Sequence, residues 1–163
     1  MKTLYVLRHG EAAPETELTS DYERALTLRG RADVQRAAVL VRDGHGVPAL
    51  VLSSSATRAR QTAELCCSAW AQGTELVLSD ELYLAGPSSY VSALVARAGQ
   101  HDRVMVVGHN PGLEALIQLL TEQSEHLATA ALVAIELGIS AWDELARAPH
   151  GAGRLAFGRP RGY

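Results

Sequence analysis

Three short, continuous apolar runs constrain the fold of this 163-residue chain more than any other feature. They lie at Thr3–Leu7, Ala49–Ser53 and Arg103–Gly108. An apolar run of about five residues without alternation is typical of a parallel strand that is covered on both faces. Weaker runs predict three further strands, the last of them at an edge of the sheet: Glu75–Leu78, Ala131–Leu137 and Arg154–Phe157.

Helical periodicity fills four of the segments between these runs, where apolar residues recur at i, i+3, i+4 and i+7. The first predicted helix covers about Leu28–Asp43. Gly73 is expected to stop the second helix, and Gly99 is expected to close the third. The fourth helix has Asn110 as its predicted N-cap and Pro111 at its first helical position.

Strands that alternate with helices predict an α/β fold. We expect a single domain over residues 1–163, with a mostly parallel central sheet and helices on both faces. A chain of this length can bury a hydrophobic core without disulfides or a structural metal. Ligands of such sheets bind outside the carboxyl ends of the strands. The residues that follow the predicted strands are therefore the place to look for a functional site.

Arginine or histidine residues follow each of the three strands that the continuous apolar runs predict. Arg8 and His9 come directly after the first strand, and Arg58 lies in the first turn of the helix after the second. His109 follows the third strand and directly precedes a predicted helix. Arginine guanidiniums match phosphate oxygens, and a helix N-terminus attracts anions. The sequence therefore predicts a site for a phosphoryl dianion.

Composition excludes several classes of function and partner. The net charge of −3 indicates neither a nucleic-acid nor an anionic-membrane partner. Lys2 is the single lysine in the sequence, which excludes a P-loop or Schiff-base lysine. The adjacent Cys66 and Cys67 cannot join distant segments. No apolar run suits a signal peptide or reaches the roughly 20 residues of a membrane helix, so we expect a reduced, cytoplasmic protein.

The residue types also argue against a metal and against other phosphatase mechanisms. Two arginines beside two histidines would repel a divalent cation, and no carboxylate pair with ligand spacing accompanies them, so we expect neither metal nor cofactor. A cysteine phosphatase needs an arginine six positions after its cysteine, whereas residues 72 and 73 are Gln and Gly. The G-x-S-x-G turn of a serine hydrolase is absent from the sequence.

Six runs of sequence, kept in order along the chain, carry a resemblance to a known family. They are LYVLRHGEA (4–12), DYERALTLRG (21–30), LVLSSSATRARQTAE (50–64), DELYLA (80–85), VMVVGHNPGLE (104–114) and LVAIELGISAW (132–142). The chain resembles the histidine phosphatase superfamily, which is phosphoglycerate-mutase-like in fold. Within it, the chain is similar to the small SixA-type phosphohistidine phosphatases. The resemblance covers nearly the whole chain.

The resemblance implies a role for each cationic residue. His9 would be the nucleophile that forms a phosphohistidine enzyme intermediate, which water then hydrolyses. Arg8, Arg58 and a protonated His109 would hold the three equatorial oxygens of the transferred group. Attack requires His9 to be neutral at one ring nitrogen, and we expect its other N–H to be anchored by a backbone carbonyl.

The resemblance does not assign the general acid to one residue. Glu81, after the fourth strand-like run, is the best-placed candidate, and Glu11 and Asp21 are alternatives. Arg24 is placed either to reach the rim of the phosphate site or to lie on the surface. A chain without any general acid is also consistent with the chemistry, because a phosphorylated imidazole protonated on its other nitrogen leaves as neutral imidazole. A sugar alkoxide, in contrast, needs a proton in the transition state.

Two kinds of phosphoryl donor are therefore considered. The resemblance implies a phosphohistidine on a protein, such as a phosphorelay or phosphotransferase domain. The alternative is a phosphatase or mutase for a small phosphate ester, such as a sugar phosphate or phosphoglycerate. A non-enzymatic phosphate-binding module is a third interpretation, which the intact set of Arg8, His9, Arg58 and His109 disfavours. Only about thirty residues separate Gly73 from the strand at Arg103, so we expect an open pocket without a lid.

Overall fold

The computed structural model describes residues 1–71 and 73–159, and its strands form one central sheet. The strands are β1 (Lys2–Arg8), β2 (Leu50–Ser54), β3 (Glu75–Ser79), β4 (Arg103–Gly108), β5 (Leu132–Leu137) and β6 (Gly153–Arg159). Their order across the sheet is β3-β2-β4-β1-β5-β6. Strands β1 to β4 pair in parallel, whereas β5 is antiparallel to both β1 and β6. Residue 72 and the end of the predicted domain, 160–163, lie outside the described residues.

Helices connect the first five strands, as the alternating pattern predicts. They are α1 (Leu28–Asp43), α2 (Thr57–Ala69), α3 (Pro87–Arg97) and α4 (Gly112–Thr121). Short 3-10 helices cover Asp21–Glu23, Asp80–Leu82 and Trp142–Ala146. No helix in the described part of the chain is both long and apolar enough to cross a membrane.

Alternating side chains of β1 pack on opposite faces of the sheet. Leu4 and Val6 belong to a core that includes the inner faces of α3 and α4. Tyr5 and Leu7 belong to a second core, formed with the inner faces of α1 and α2. All four side chains are fully buried, which explains why the strand is a continuous apolar run. The predicted α/β class, with helices on both faces of a mostly parallel sheet, is confirmed.

The predicted end of the second helix is wrong by several residues. Helix α2 ends at Ala69, before Gly73, and Trp70 is its C-cap. The indole N–H of Trp70 donates to the carbonyl of Ala38 in α1, at 2.9 Å. This bond and the burial of the indole turn the chain away from the helix axis. Ala71 then adopts a left-handed conformation, with φ of 49°.

The predicted cap of the fourth helix is also displaced. Helix α4 begins at Gly112, so Pro111 is the N-cap residue rather than the first helical residue. The peptide bond between Asn110 and Pro111 is cis. The side chain of Asn110 does not cap the helix: within the described part of the chain its Oδ1 accepts no hydrogen bond, while its NH₂ donates to the carboxylate of Glu114 and to the carbonyl of Leu127.

Candidate active site

The sheet brings Arg8, His9 and His109 to one edge. In the parallel pair of β1 and β4, Arg8 lies opposite Gly108, so His9 and His109 leave the sheet side by side. Arg58 enters from the first turn of α2, which follows the neighbouring β2. The four side chains, Arg8, His9, Arg58 and His109, line one pocket of about 300 Å³. We call these four residues the pocket floor.

The imidazole of His9 is held in one tautomer. Its Nδ1 lies 2.8 Å from the carbonyl oxygen of Gly10, so Nδ1–H donates and Nε2 keeps its lone pair. The Nε–H of Arg58 points to that Nε2 at 3.4 Å. Burial lowers the pKa of His9 to about 4; the hydrogen bond to the Gly10 carbonyl opposes this shift, and the charges of nearby arginines add to it by smaller amounts. His9 is therefore neutral at pH 7, with one unprotonated nitrogen beside a guanidinium.

The backbone around His9 is held tightly. The N–H of Gly10 donates to the hydroxyl of Thr62, which itself donates to the carbonyl of Arg58. A Cβ at Gly10 would lie 2.8 Å from the carbonyl oxygen of Gly30, so only glycine fits this approach of the loop to α1. Two helices thus fix the position of the His9 imidazole.

Arg58 is almost wholly buried, at 3% exposure, and Asp21 holds its outer end. One terminal nitrogen of the guanidinium donates to the Asp21 carbonyl at 2.7 Å, and the other to the Asp21 carboxylate at 3.2 Å. The hydroxyl of Tyr83 donates to the same carboxylate. This bond and those from Arg24 and Arg58 lower the pKa of Asp21 to about 2, so it is ionised at pH 7.

Arg8 is oriented by the chain segment that precedes β5. One of its terminal nitrogens donates to the Leu127 carbonyl at 3.0 Å. The same carbonyl accepts from Asn110, and the carboxylate of Glu114 accepts from both the Asn110 amide and the Leu127 N–H. Within the described part of the chain, the buried Nε of Arg8 has no hydrogen-bond partner. Arg8 thus keeps a donor that is not used by the protein.

His109 is buried between polar and aromatic neighbours. Its Nε2 lies 2.8 Å from the Oγ of Ser54, and its ring meets that of Tyr83 edge-on, with centroids 5.6 Å apart. Burial first, then the nearby His9 and Arg58, lower the pKa of His109 to about 3. The ring is therefore neutral at pH 7 in this structure. The protonated His109 of the sequence analysis stays a prediction that requires the charge of a bound dianion.

The candidate general acids fall in different places. Glu81 is exposed in the 3-10 helix after β3 and is not among the described residues that line the pocket. Glu11 does line the pocket, with its carboxylate accepting from the Thr27 hydroxyl at 3.0 Å. Arg24 also lines it, while donating to Asp21. The structure thus does not bring Glu81, the first choice of the sequence analysis, to the site.

Several residues around the pocket are absent from the predicted set. Ser54 contacts His109, Tyr83 contacts both His109 and Asp21, and Leu84 lines the pocket. Tyr83 and Leu84 lie in the DELYLA run, which also contains Glu81. Ser54 is the middle of three consecutive serines, and strand alternation alone does not tell which of them faces a neighbouring histidine.

The arrangement suits an oxyanion. Four nitrogen-bearing side chains converge, one imidazole nitrogen is unprotonated, and the surrounding donors are fixed before any ligand arrives. Among residues 1–71 and 73–159, no group of three or more His, Cys, Asp or Glu side chains is arranged to hold a metal ion. We call the more exposed lining residues Glu11, Arg24 and Leu84 the pocket rim.

Comparison with known proteins points to one family. Residues 4–83 match the model of the histidine phosphatase superfamily (branch 1). The fold is similar to that of a SixA protein from Agrobacterium tumefaciens, which is 28% identical, with a TM-score of 0.82 and 98% of each chain covered.

Two further structures share the fold at lower identity. The protein histidine phosphatase SixA complexed with tungstate is 22% identical, with a TM-score of 0.80 over 97% of this chain and 96% of that chain. The mycobacterial glucosyl-3-phosphoglycerate phosphatase is 16% identical, with a TM-score of 0.69 over 95% and 97% of the two chains. The same fold therefore occurs in proteins named for quite different donors.

Proposed function

The chain belongs to the histidine phosphatase superfamily, and we propose that it dephosphorylates a phosphohistidine displayed on another protein. The observation that carries this proposal is the state of His9. Its Nδ1–H is anchored by a carbonyl, and its unprotonated Nε2 faces the guanidinium of Arg58 in a pocket of small volume. A nucleophile and an oxyanion donor are thus preorganised around one point.

In the first step, His9 Nε2 attacks phosphorus while the bond from phosphorus to the donor's ring nitrogen breaks. The donor's imidazole leaves as a neutral ring, because its other nitrogen already carries a proton. In the second step, water attacks the phosphoryl group on His9. Inorganic phosphate is released, and His9 regains its lone pair at Nε2. The intermediate divides one displacement into two easier ones.

Arg8, Arg58 and His109 would stabilise the transferred group in both steps. Charge spreads over its three equatorial oxygens, and fixed cationic donors lower the barrier most when they are oriented beforehand. The negative charge of the donor raises the pKa of His109, so that binding the donor and protonating His109 are coupled. We propose that these groups make the reaction independent of a metal ion.

The carboxylates favour phosphohistidine over an alkyl ester. Asp21 is ionised and fully engaged with Arg58 and Tyr83, and Glu81 lies outside the lining of the pocket. A donor whose leaving group needs no proton fits such a site best. The alternative, a phosphatase for a small phosphate ester, rests on Glu11, the carboxylate that does line the pocket. We retain the expected cytoplasmic location on the ground of the two free cysteines.

Parallel turnover of several donors tests the proposed function. A phosphohistidine protein is compared with phosphoglycerate and sugar phosphates, each with and without EDTA. We expect the phosphohistidine protein to have the highest kcat/KM and EDTA to change no rate. A His9→Ala preparation controls for contaminating phosphatases. Faster turnover of one alkyl ester would assign the alternative function, and loss of activity with EDTA would overturn the metal-independent mechanism.

A further inference from the structure

Leu84 differs from most residues that line the pocket, because its side chain is large and apolar. Of the ten described lining residues, only Ala12 and Leu84 are apolar, and Leu84 is the larger. Its side chain is not buried against the core, because the residue is 59% exposed. A large aliphatic side chain beside two arginines and two histidines contributes nothing to holding a phosphoryl group. Its position needs another explanation.

The backbone of Leu84 is in a conformation that leucine disfavours. Its φ is 48°, in the left-handed region where glycine is the usual residue. Exposed leucine gains little from burial to offset this cost. Non-glycine residues in the left-handed region occur where the surroundings force the conformation, and they cluster at ligand-binding sites.

Both neighbours of Leu84 are anchored, which forces this conformation. The Tyr83 N–H donates to the carbonyl of Asp80, and the Tyr83 hydroxyl donates to Asp21. The carbonyl of Ala85 packs so closely on Gly112, at the start of α4, that a Cβ there would overlap it. The chain is thus fixed on either side, and Leu84 is held at the pocket rim.

We propose that Leu84 is a specificity-determining residue, whose side chain packs against the ring of the donor's leaving group. This inference rests on the proposed function. The leaving group departs in line with, and opposite to, the attacking His9 Nε2. Because His9, Arg58 and His109 are buried at the floor, the leaving group projects outward and passes the rim, where Leu84 offers apolar contact to a flat ring.

The contribution of Leu84 is measured by varying the leaving group. Three donors are compared: N-phosphohistidine, p-nitrophenyl phosphate, and phosphoramidate, which releases ammonia and so lacks a ring. In Leu84→Ala and Leu84→Gly we expect kcat/KM for both ring-bearing donors to fall about 5- to 10-fold, the size typical of a lost apolar contact in a pocket. The value for phosphoramidate should stay within about twofold of the wild-type value.

A control variant and a measurement of stability separate this contact from damage to the fold. Leu28→Ala removes a leucine that is 87% exposed and does not line the pocket, and it should leave all three donors unchanged. Leu84→Gly relieves the left-handed strain, so its Tm should equal or exceed the wild-type value. Lower activity on ring-bearing donors without loss of stability is the signature of a contact with the donor.

The outcomes distinguish this inference from the proposed function. An equal loss on all three donors, or no loss on any, would overturn the role of Leu84. If the wild-type protein fails to turn over phosphohistidine while p-nitrophenyl phosphate shows the Leu84 effect, the contact stands and the proposed donor is wrong. Selective loss on both ring-bearing donors supports the two together.

Discussion

The floor and the rim of the pocket differ in how they are built. The floor side chains come from the ends of β1 and β4 and the first turn of α2, and His109 is only 2% exposed. The rim side chains come from the two connections that follow β1 and β3, and they are in partial or full contact with solvent. The floor therefore has the rigidity that phosphoryl transfer demands, while the rim has the exposure that contact with a second protein demands.

Asp21 and Tyr83, next to the rim, join the two regions. Asp21 binds the outer end of Arg58, whose Nε reaches His9. Tyr83 donates to Asp21, and its ring contacts that of His109. A change next to the rim can therefore alter the floor through Arg58 and through His109. The comparison implies that floor substitutions remove the reaction for every donor, whereas rim substitutions change which donors are used.

Removing the nucleophile should have the largest effect. We expect His9→Ala to lower kcat by at least about 10⁴-fold on every donor, because it removes the unprotonated nitrogen to which the Arg58 Nε–H points. Stopping the wild-type reaction during turnover should give an acid-labile, base-stable phosphoryl label on His9, detected by mass spectrometry. The exposed His150→Ala is the matched control. Substantial activity in His9→Ala would refute the covalent mechanism.

Removing one of the floor residues that donate to an oxyanion should give the second-largest loss of activity. We expect Arg58→Ala to lower kcat/KM by about 10²- to 10³-fold for all donors, as is typical for the loss of one preorganised donor. The affinity for inorganic phosphate, measured by calorimetry, should fall in parallel. Arg60→Ala, on the exposed side of the same helix, serves as the control. A loss confined to one donor would mean that Arg58 acts at the rim and not on the transferred group.

Stability at acid pH should distinguish the floor from the rim. Burial holds the pKa of His9 at about 4, against about 6.5 in an unfolded chain, so the unfolded state binds the proton more readily. Stability should therefore fall as the pH decreases from about 6.5 to 4, by at most about 3 kcal/mol from this residue.

Urea denaturation across that pH range tests this expectation. The slope of unfolding free energy against pH should become shallower in His9→Ala. It should stay nearly unchanged in Asp21→Asn, because the pKa of Asp21 is about 2 in the folded chain and about 3.8 in an unfolded one, so that its effect on stability lies mainly below pH 4. A slope that His9→Ala leaves intact would show that another group takes up the proton.

Weakening the contacts that join the rim to the floor should lower kcat moderately. In Asp21→Asn the charge that holds Arg58 is lost, and we expect kcat to fall about tenfold with a smaller change in KM. Tyr83→Phe removes one hydrogen bond and should cost about two- to threefold. Asp33→Asn, in an ion pair on the outer face of α1, is the control. A larger effect of Tyr83→Phe than of Asp21→Asn would contradict the proposed order of contacts.

The floor was predictable from the sequence because it depends on regular structure. Continuous apolar runs indicate parallel strands, and the residues that follow them must meet at one edge, which is why Arg8 and His109 could be paired across about a hundred positions. The rim depends on irregular backbone. No periodic pattern predicts the left-handed turn at Leu84. The contact of Tyr83 with Asp21 joins segments about 60 residues apart, and it too leaves no periodic pattern in the sequence.

Local rules failed where tertiary contacts compete with them. Asn110 is a favourable N-cap by type, yet its amide is used to hold the Leu127 carbonyl that orients Arg8. Trp70 leaves α2 early because its indole binds the backbone of α1. Both departures link a helix end to a distant segment, and such links are not visible in a local window of sequence.

The smallest effect should come from Glu81, the residue that the sequence favoured as general acid. It is exposed and lies outside the pocket lining, so we expect Glu81→Gln to change kcat/KM by less than about twofold on every donor.

Glu11→Gln is the variant to compare with Glu81→Gln, since Glu11 lines the pocket. If Glu11 supplies a proton, its substitution should slow alkyl phosphate esters by about 10²-fold and leave phosphohistidine nearly unchanged, because only the alkoxide needs protonation. Equal losses on both donors would mean that Glu11 acts through the Thr27 contact that holds the start of α1. A large, ester-selective loss in Glu81→Gln would instead show that the connection after β3 moves to bring Glu81 over the floor when a donor binds.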